Sequence, residues 1–490
     1  MFIGIDLGTS EVKVVLLDRE QRLVAVAREP LAVSRPRPLW SEQAPEDWWA
    51  AACRALDALA ADHAQQLRRV EGIGLSGQMH GAVAMDAHDR VLRPAILWND
   101  GRSGAECEEL MRREPRLTQI AGNLAMPGFT APKLVWMSRH EPQLFAAVRT
   151  VLLPKDWLRW RLTGEKVSDM SDAAGTLWLD VARRDWSDAL LAACGMDRSQ
   201  MPSLVEGSDP GGRLRPEWAR RWGIPASAVV AGGAGDNAAS AVGIGAVRPG
   251  QGFLSLGTSG VLFVCDDRFR PNPGSAVHAF CHALPGRWHQ MSVMLSAAGA
   301  LAWGAQVCGR ADVGAWLDEI ESLDAGSMAQ APIFLPYLSG ERTPHNDPLA
   351  RGVLFGLAAE HTPASMAYAA MEGVSFGLRD GLQALRQAGT EIARLSLVGG
   401  GARSTRWAQL LADVLEVEIV THEGGEAGAA LGAARLAWLA AGGDETAVCT
   451  VPPVAAVWRP RERTQRDYLQ ARYDRFRALY PALRPHFPGR

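Results

Sequence analysis

Residues 2–6 form a short apolar run that ends in the carboxylate of Asp6. A Gly8-Thr9-Ser10 turn follows, then the β-branched run 12–17 and the polar turn Asp18-Arg19-Glu20-Gln21. Apolar runs of this length between turn residues predict a β-hairpin whose connecting turn carries polar chemistry. Pro45 stands behind Ser41 and Glu42 and ahead of Glu46 and Asp47. Proline fits the first helical turn and carboxylates suit the positive end of the helix dipole, so a helix is expected from here to about Leu67. Strands predicted at 72–75, 82–85 and 95–98 alternate with helical patterns, which points to an α/β layer architecture.

The strongest organising signal is an internal repeat. Leu7-Gly8-Thr9-Ser10 recurs as Leu256-Gly257-Thr258-Ser259, an offset of 249 residues (256 less 7), and the same offset pairs Val12 with Val261, Val15 with Val264, Asp18 with Asp267 and Arg19 with Arg268. Two halves that open with the same strand, turn and strand imply two α/β domains. The glycine- and proline-bearing segment 243–252 separates them, giving 1–245 and 246–490.

Composition narrows the function classes. Hydrophobic residues make up 47% and charged residues 21% of the 490, which excludes a disordered chain. A formal charge of −3 speaks against gripping nucleic acid. The start runs into a strand without a basic region or cleavage site, and no stretch of about 18 apolar residues suggests a membrane span. Seven scattered cysteines without a CxxC pair fit reduced thiols, so a cytoplasmic location is expected.

A turn of the form Asp-x-Gly-Thr-Ser between two strands offers successive backbone N–H groups and two hydroxyls, as a phosphate oxygen requires. Gly8, Thr9 and Ser10 are therefore phosphate-binding candidates. Asp6 at the mouth of the turn could hold Mg²⁺ directly or through water, and Lys13 could neutralise a transferring phosphoryl group. The alternative for one copy is a tight hairpin with exposed polar residues; two copies, the second at Gly257, Thr258 and Ser259, could clamp a triphosphate from two sides. In the glycine-rich segment 231–238, Asp236 is a candidate general base beside Asn237, or else an N-cap of the helix that starts near Asn237. Strand 395–398 leads through Gly399-Gly400-Gly401-Ala402-Arg403-Ser404 into a helix near Thr405, a flat backbone surface suited to nucleotide contact at Gly400, Gly401 and Ala402 or to close helix packing. Residues 424–432 repeat that pattern. Gln78, His80, Asn99 and Asp100 sit at predicted strand ends, where ligands of α/β sheets collect, and Trp98 offers an apolar face to sugar C–H groups.

Three motifs are set aside. Gly72-Ile73-Gly74-Leu75-Ser76-Gly77 satisfies GxGxxG but reads as the strand itself. His278, Cys281 and His282 are better explained as core residues than as metal ligands. There is no GxxxxGK[ST], so an ATP site here is not a P-loop.

With these residues in view, the chain resembles the FGGY carbohydrate kinases over essentially its whole length. The resemblance rests on Asp6-Leu7-Gly8-Thr9-Ser10, Gly77-Gln78-Met79-His80-Gly81, Trp98-Asn99-Asp100-Gly101-Arg102, Ser168-Asp169-Met170-Ser171-Asp172, Gly235-Asp236-Asn237, Leu256-Gly257-Thr258-Ser259-Gly260 and Gly399-Gly400-Gly401-Ala402-Arg403-Ser404, and residues 128–136 look like the family's first signature. It implies two domains of the actin, Hsp70 and hexokinase (ribonuclease H-like) type with a cleft between them, and transfer of the γ-phosphoryl group of Mg-ATP to a small ketose, D-xylulose being favoured. It further implies Asp236 as general base, sugar contacts at Met79, His80, Asp236 and Asn237, nucleotide contacts at Thr258, Ser259, Gly400 and Gly401, and a homodimer. Two departures stand out: the glycine turn before Asp236 is one residue longer than the family's usual form, which would shift the base, and Ser365 replaces a larger polar residue of the second signature, on what is expected to be a surface helix. The competing readings are an FGGY kinase for ribulose, gluconate or glycerol, or an ATP-driven chaperone or filament protein on the same fold.

Overall fold

The computed structural model describes residues 1–423 and 428–489. The offset of the repeat reappears in three dimensions. Strands β1 (Phe2–Leu7), β2 (Glu11–Leu17), β3 (Leu23–Pro30), β4 (Gly72–Gly77), β5 (Pro210–Arg213) and β6 (Val229–Ala231) lie side by side in the order β5-β6-β4-β1-β2-β3. In the second half β7 (Gln251–Leu256), β8 (Gly260–Asp266), β9 (His278–Cys281), β10 (Trp288–Met294), β11 (Arg394–Val398), β12 (Glu418–His422) and β13 (Val454–Trp458) follow the order β9-β10-β8-β7-β11-β12-β13. Each sheet has the same core: an antiparallel opening hairpin, two parallel strands beside its first strand, and an antiparallel edge strand. The two hairpins differ in one respect. Leu7 pairs with Val12 but Leu256 with Gly260, so the second turn is one residue tighter.

Strand alternation assigns the faces. Ile3, Ile5, Val12, Val14 and Leu16 pack with Trp48 and Leu56 of helix α1 (Pro45–Asp62), while Phe2, Val15 and Leu17 join a separate apolar cluster on the other face. Both faces are thus buried, which is why these strands read as unbroken apolar runs. The helix expected to reach Leu67 is interrupted at His63, whose φ of −129° leaves the helical region, and a short helical turn, Ala64–Leu67, follows. Of the strand expected at 95–98 only Ala95–Ile96 forms, because the Asp100 N–H closes a turn onto Leu97 O.

Six further helices position the site: α2 (Thr130–His140), α3 (Pro154–Thr163), α4 (Met170–Ala174), α5 (Asp236–Gly243), α6 (Pro363–Gln387) and α7 (Thr405–Leu415). Helix α6 is largely buried against the second sheet, so the expectation of a surface helix around Ser365 is corrected: Ser365 is buried and shares a capping box with Thr362. The covering layers cross between the halves. Phe253, Phe263 and Phe280 of the second sheet cluster with Leu134, Val135 and Trp136 of α2. In return α8 (Gly428–Ala440) lies on the first sheet with Phe2 and Val15. The approach is so close that a Cβ on Gly74 would sit 1.9 Å from Ala433 O, and one on Gly4 2.0 Å from Ala430 O. The glycine spacing that imitates a dinucleotide fingerprint therefore admits a helix backbone. Part of the second glycine-rich helix entry, residues 424–427, lies outside the described residues. Among the described residues no helix is long and apolar enough to cross a membrane.

Candidate active site

The C-terminal ends of β1 and β4, the start of α5 and the two hairpin turns carry the chemistry. Asp6 lies opposite Lys13 on β2 and Ser76 on β4, and Ser76 Oγ donates to Asp6 Oδ1 at 2.8 Å. Burial raises the Asp6 carboxyl, while the Ser76 hydrogen bond and the Lys13 charge oppose that rise. Asp236 is the first residue of α5; the N-cap position belongs to Gly235, which corrects the capping alternative. Asp236 Oδ1 accepts from Asn237 N at 2.7 Å and Asn237 Nδ2 at 2.9 Å, and Oδ2 has no partner among the described residues. Burial first and the charge of Asp6 second push the Asp236 carboxyl up to about 6. A carboxylate poised near neutrality with one free oxygen has the form of a general base.

The turn ahead of Asp236 is held from behind. Gly235 N donates to Ser171 Oγ at 3.2 Å, Gly233 adopts φ +79°, and Arg159 of α3 donates to Gly232 O. Asp156, Asp169 and Asp172 cluster beneath it within 4.8 Å of one another, which is metal-like spacing. The position a cation would take is filled by Lys155, whose Nζ lies 2.7 Å from Asp169 and 3.2 Å from Asp172.

His80 stands just beyond β4 with φ +70°. Its Nδ1 lies 2.7 Å from Gly175 O, so Nδ1 carries the proton and Nε2 is left as an acceptor. Burial depresses the imidazole to about 3, keeping it neutral. Met79 packs so tightly that a Cβ on Gly235 would meet its Sδ at 2.8 Å. Phe129 and Phe280 flank the His80 ring at 4.6 and 6.1 Å, the latter contributed by β9 of the second half.

Other expected contacts are spent internally. Gln78 accepts from Thr9 Oγ1 at 3.0 Å and donates to Gln43 Oε1 at 3.0 Å, and Thr9 Oγ1 accepts from Trp98 Nε1 at 3.0 Å. Asp100 accepts from Ser41 N and, through both oxygens, from Arg102. Gln78 and Asp100 are therefore braces rather than ligand-facing groups, a correction to the strand-end argument. Trp98 and Asn99 remain exposed. Lys13 is half-buried, 3.9 Å from Glu11 Oε1, and the exposed Ser10 accepts from Leu31 N through its carbonyl, while Gly8 N closes the turn onto Glu11 O.

In the second half Gly257, Thr258 and Ser259 are exposed, and their turn is fixed by Ala297 N and Gly299 N donating to Thr258 O and by Ala298 N donating to Gly257 O. Gly399 has φ +86°, and Cβ atoms on Gly399 and Gly401 would meet Leu256 at 2.8 and 2.7 Å. That contact brings Gly400, Gly401 and Ala402 beside the second hairpin turn. The candidates set aside as core do serve the core: His278 Nδ1 bonds Asn123 Oδ1, Cys281 Sγ donates to Val181 O, and His282 Nδ1 accepts from Leu284 N. The structure adds Gln43, Ser76, Thr130, Lys133, Ser171 and Gly175. Thr130 and Lys133 lie in the signature-like stretch 128–136, Ser171 in the motif 168–172 and Ser76 in the strand 72–77, whereas Gln43 and Gly175 left no sequence trace.

With this geometry in hand, the likeness to known proteins becomes informative. Residues 1–243 match the FGGY family of carbohydrate kinases, N-terminal domain, and residues 252–441 its C-terminal domain. A xylulose kinase of Escherichia coli (strain K12) is 53% identical over 487 residues, covering 99% of both chains. Among solved structures, a protein of Brucella ovis described as a xyloylose kinase is 53% identical with a TM-score of 0.95 over 99% of both chains. The xylulose kinase of Rhodospirillum rubrum is 31% identical with a TM-score of 0.91 over 99% of both chains. The chain belongs to the FGGY family of carbohydrate kinases. Its paired sheets are accordingly the two-domain fold of the actin, Hsp70 and hexokinase type, and ATP is its phosphoryl donor.

Proposed function

We propose that this kinase phosphorylates D-xylulose to D-xylulose 5-phosphate, with sugar bound by domain 1–245 and nucleotide by domain 246–490. The observation that carries the substrate is 53% identity to a xylulose kinase across 99% of both chains. Asp236 takes the proton of the attacking sugar hydroxyl on its free Oδ2. The new O–P bond forms at the γ-phosphorus as the bond to the bridging oxygen breaks, and ADP departs with that electron pair. His80 Nε2 accepts a hydrogen bond from a second hydroxyl, Met79 and Trp98 supply apolar walls, and Asn99 and Asn237 offer side-chain amides to the remaining oxygens. Gly8 and Gly257 close their turns through their own N–H groups, which leaves the N–H groups of Thr9, Ser10, Thr258 and Ser259 and the Thr258 hydroxyl to donate to phosphate oxygens; Lys13 balances the phosphate charge, and Gly400, Gly401 and Ala402 lie against the nucleoside.

The hard oxygens of Asp6 beside the first turn fit Mg²⁺ held through water, and the ion would neutralise charge on the β- and γ-phosphates. The seven free cysteines support a cytoplasmic setting, and the family likeness supports a homodimer, checked by light scattering. A coupled ADP-release assay over D-xylulose, D-ribulose, D-gluconate and glycerol tests the substrate: kcat/KM for D-xylulose should exceed the others by at least about tenfold. A higher value for any other member of the panel would overturn the assignment.

A further inference from the structure

We propose that Thr130 and Lys133 of α2 are positioning residues for sugar binding, gripping the main-chain carbonyl of His80 so that its ring is aimed at the substrate. The proposal rests on the reading of His80 as a sugar ligand. His80 has φ +70°, a left-handed conformation uncommon for a residue with a Cβ and one that persists where its surroundings enforce it. The enforcement is visible. Lys133 Nζ donates to His80 O at 2.8 Å and Thr130 Oγ1 donates to the same oxygen at 3.1 Å. Lys133 also donates to Gly128 O at 2.7 Å, tying the His80 loop to the loop that leads into α2.

The ring end is fixed separately by Gly175 O. A Cβ on Gly175 would lie 2.7 Å from His80 Nδ1, so no other residue leaves room for that hydrogen bond. The main-chain clamp and the ring contact together leave Nε2 one direction to face.

Lys133 is an expensive way to hold a loop if stability were the only purpose. It is fully buried, and among the described residues no carboxylate lies within ion-pairing distance. Burial lowers its ammonium to about 7, with the charge of Asp100 opposing and that of Arg102 assisting. A buried cation without a counter-ion is a site where an apolar side chain of equal length would normally be more stable. Its protons are instead spent on two carbonyls, one of them belonging to the residue whose ring faces the sugar. Strain in the backbone and a desolvated cation at the same point are features that functional sites retain.

The test uses Lys133→Met, which keeps length and removes the donors, and Thr130→Val, which keeps shape and removes the hydroxyl, in the full chain beside His80→Ala. Lys133→Met should raise KM for D-xylulose at least about tenfold and Thr130→Val about threefold, with KM for ATP within about twofold of wild type. Side-chain NMR of histidine-labelled protein should show the His80 ring losing its fixed Nδ1–H tautomer in Lys133→Met, a change that loss of packing elsewhere would not produce. If His80→Ala raises the sugar KM while both α2 variants leave it and the His80 signal unchanged, the clamp is wrong and the reading of His80 stands. If His80→Ala leaves the sugar KM unchanged, that reading falls and the clamp with it. Should Lys133→Met fail to fold, Thr130→Val decides by the same criteria.

Discussion

Replacing Asp236 by Asn separates catalysis from stability in opposite directions. The Asp236 carboxyl is raised from an ordinary value of 3.8 to about 6 by burial and by the charge of Asp6. A shift of about two units corresponds to about 3 kcal/mol. The sign follows from proton binding: a carboxyl whose folded pKa lies above its unfolded value binds more protons when folded. Below pH 3.8 its ionisation therefore costs nothing; the penalty grows between 3.8 and about 6 and is complete above about 6. Asn keeps an oxygen to accept from Asn237 N and Nδ2, so the local hydrogen bonds survive while the buried charge disappears. At pH 7 the Asn variant should be more stable than wild type by up to about 3 kcal/mol, and at pH 3.5 the two should converge.

Activity should move the other way. Removing a general base costs about 10²- to 10⁴-fold in kcat, with sugar affinity by calorimetry within about tenfold of wild type. The wild-type rate should rise with pH and level off above about 6, where Asp236 is ionised, and the variant should lose that limb. The assay pairs denaturant melts at pH 3.5 and 7 with a pH–rate series from 5 to 8. A variant less stable than wild type at pH 7 would refute the electrostatic argument. Turnover near the wild-type rate would refute the catalytic one and make Asp6 the next carboxylate to test.

Three further outcomes are expected. His80→Ala should raise the sugar KM far more than the ATP KM, because Nε2 is assigned to the sugar alone; equal effects would remove that assignment. Thr258→Ala removes an exposed hydroxyl of the second turn and Thr9→Ala the brace that ties the first turn to Gln78 and Trp98, so each should raise the ATP KM about threefold to tenfold; ATP kinetics unchanged in both would dismiss the two-turn clamp. Gly432→Ala places a Cβ 1.7 Å from Ala239 O. The overpacking should cost about 3 kcal/mol or more, read as a lower denaturation midpoint, and an unshifted midpoint would show that the two helices can part freely.

The sequence made the opening hairpins legible because both signals are local: apolar runs of strand length and a turn repeated at one offset. The structure places β7 and β8 at that offset from β1 and β2, yet the pairing register differs by one residue, which no side-chain pattern encodes. Asp236 drew notice as a lone carboxylate in a glycine-rich turn, and the structure puts it at the first position of α5 with its carboxyl pushed up to about 6. Gln78 and Asp100 misled because strand-end position says where a side chain lies and not which of its polar atoms are already taken. Arg102, two residues on, consumes Asp100, and Thr9 and Gln43, from distant positions, consume Gln78. Lys133 could be noticed but not interpreted, since its partners are main-chain carbonyls, which have no signature in sequence.

The helix that begins with Asp236 also explains why the halves cannot be treated as independent lobes. Helix α5 is lined by small residues, Ala238, Ala239 and Gly243, and α8 answers with Gly428, Ala429 and Gly432, so the two backbones cross almost in contact. A Cβ on Gly243 would lie 2.6 Å from Gly428 O. Arg435 of α8 then caps the far end of α5, donating to Val242 O at 2.9 Å and Gly243 O at 3.0 Å, and extends the same guanidinium to Thr450 O at 2.8 Å. A cation on terminal carbonyls is favourable both as a hydrogen-bond donor and against the helix dipole. Asp236 is thus the first residue of a helix whose last turn is held by the second half, while α8 rests on Gly4 and Gly74 of the first sheet. The small residues let the two backbones approach this closely, and Arg435 ties the last turn of α5 to α8 and to Thr450, so the helix that carries Asp236 is anchored to both halves through main-chain contacts.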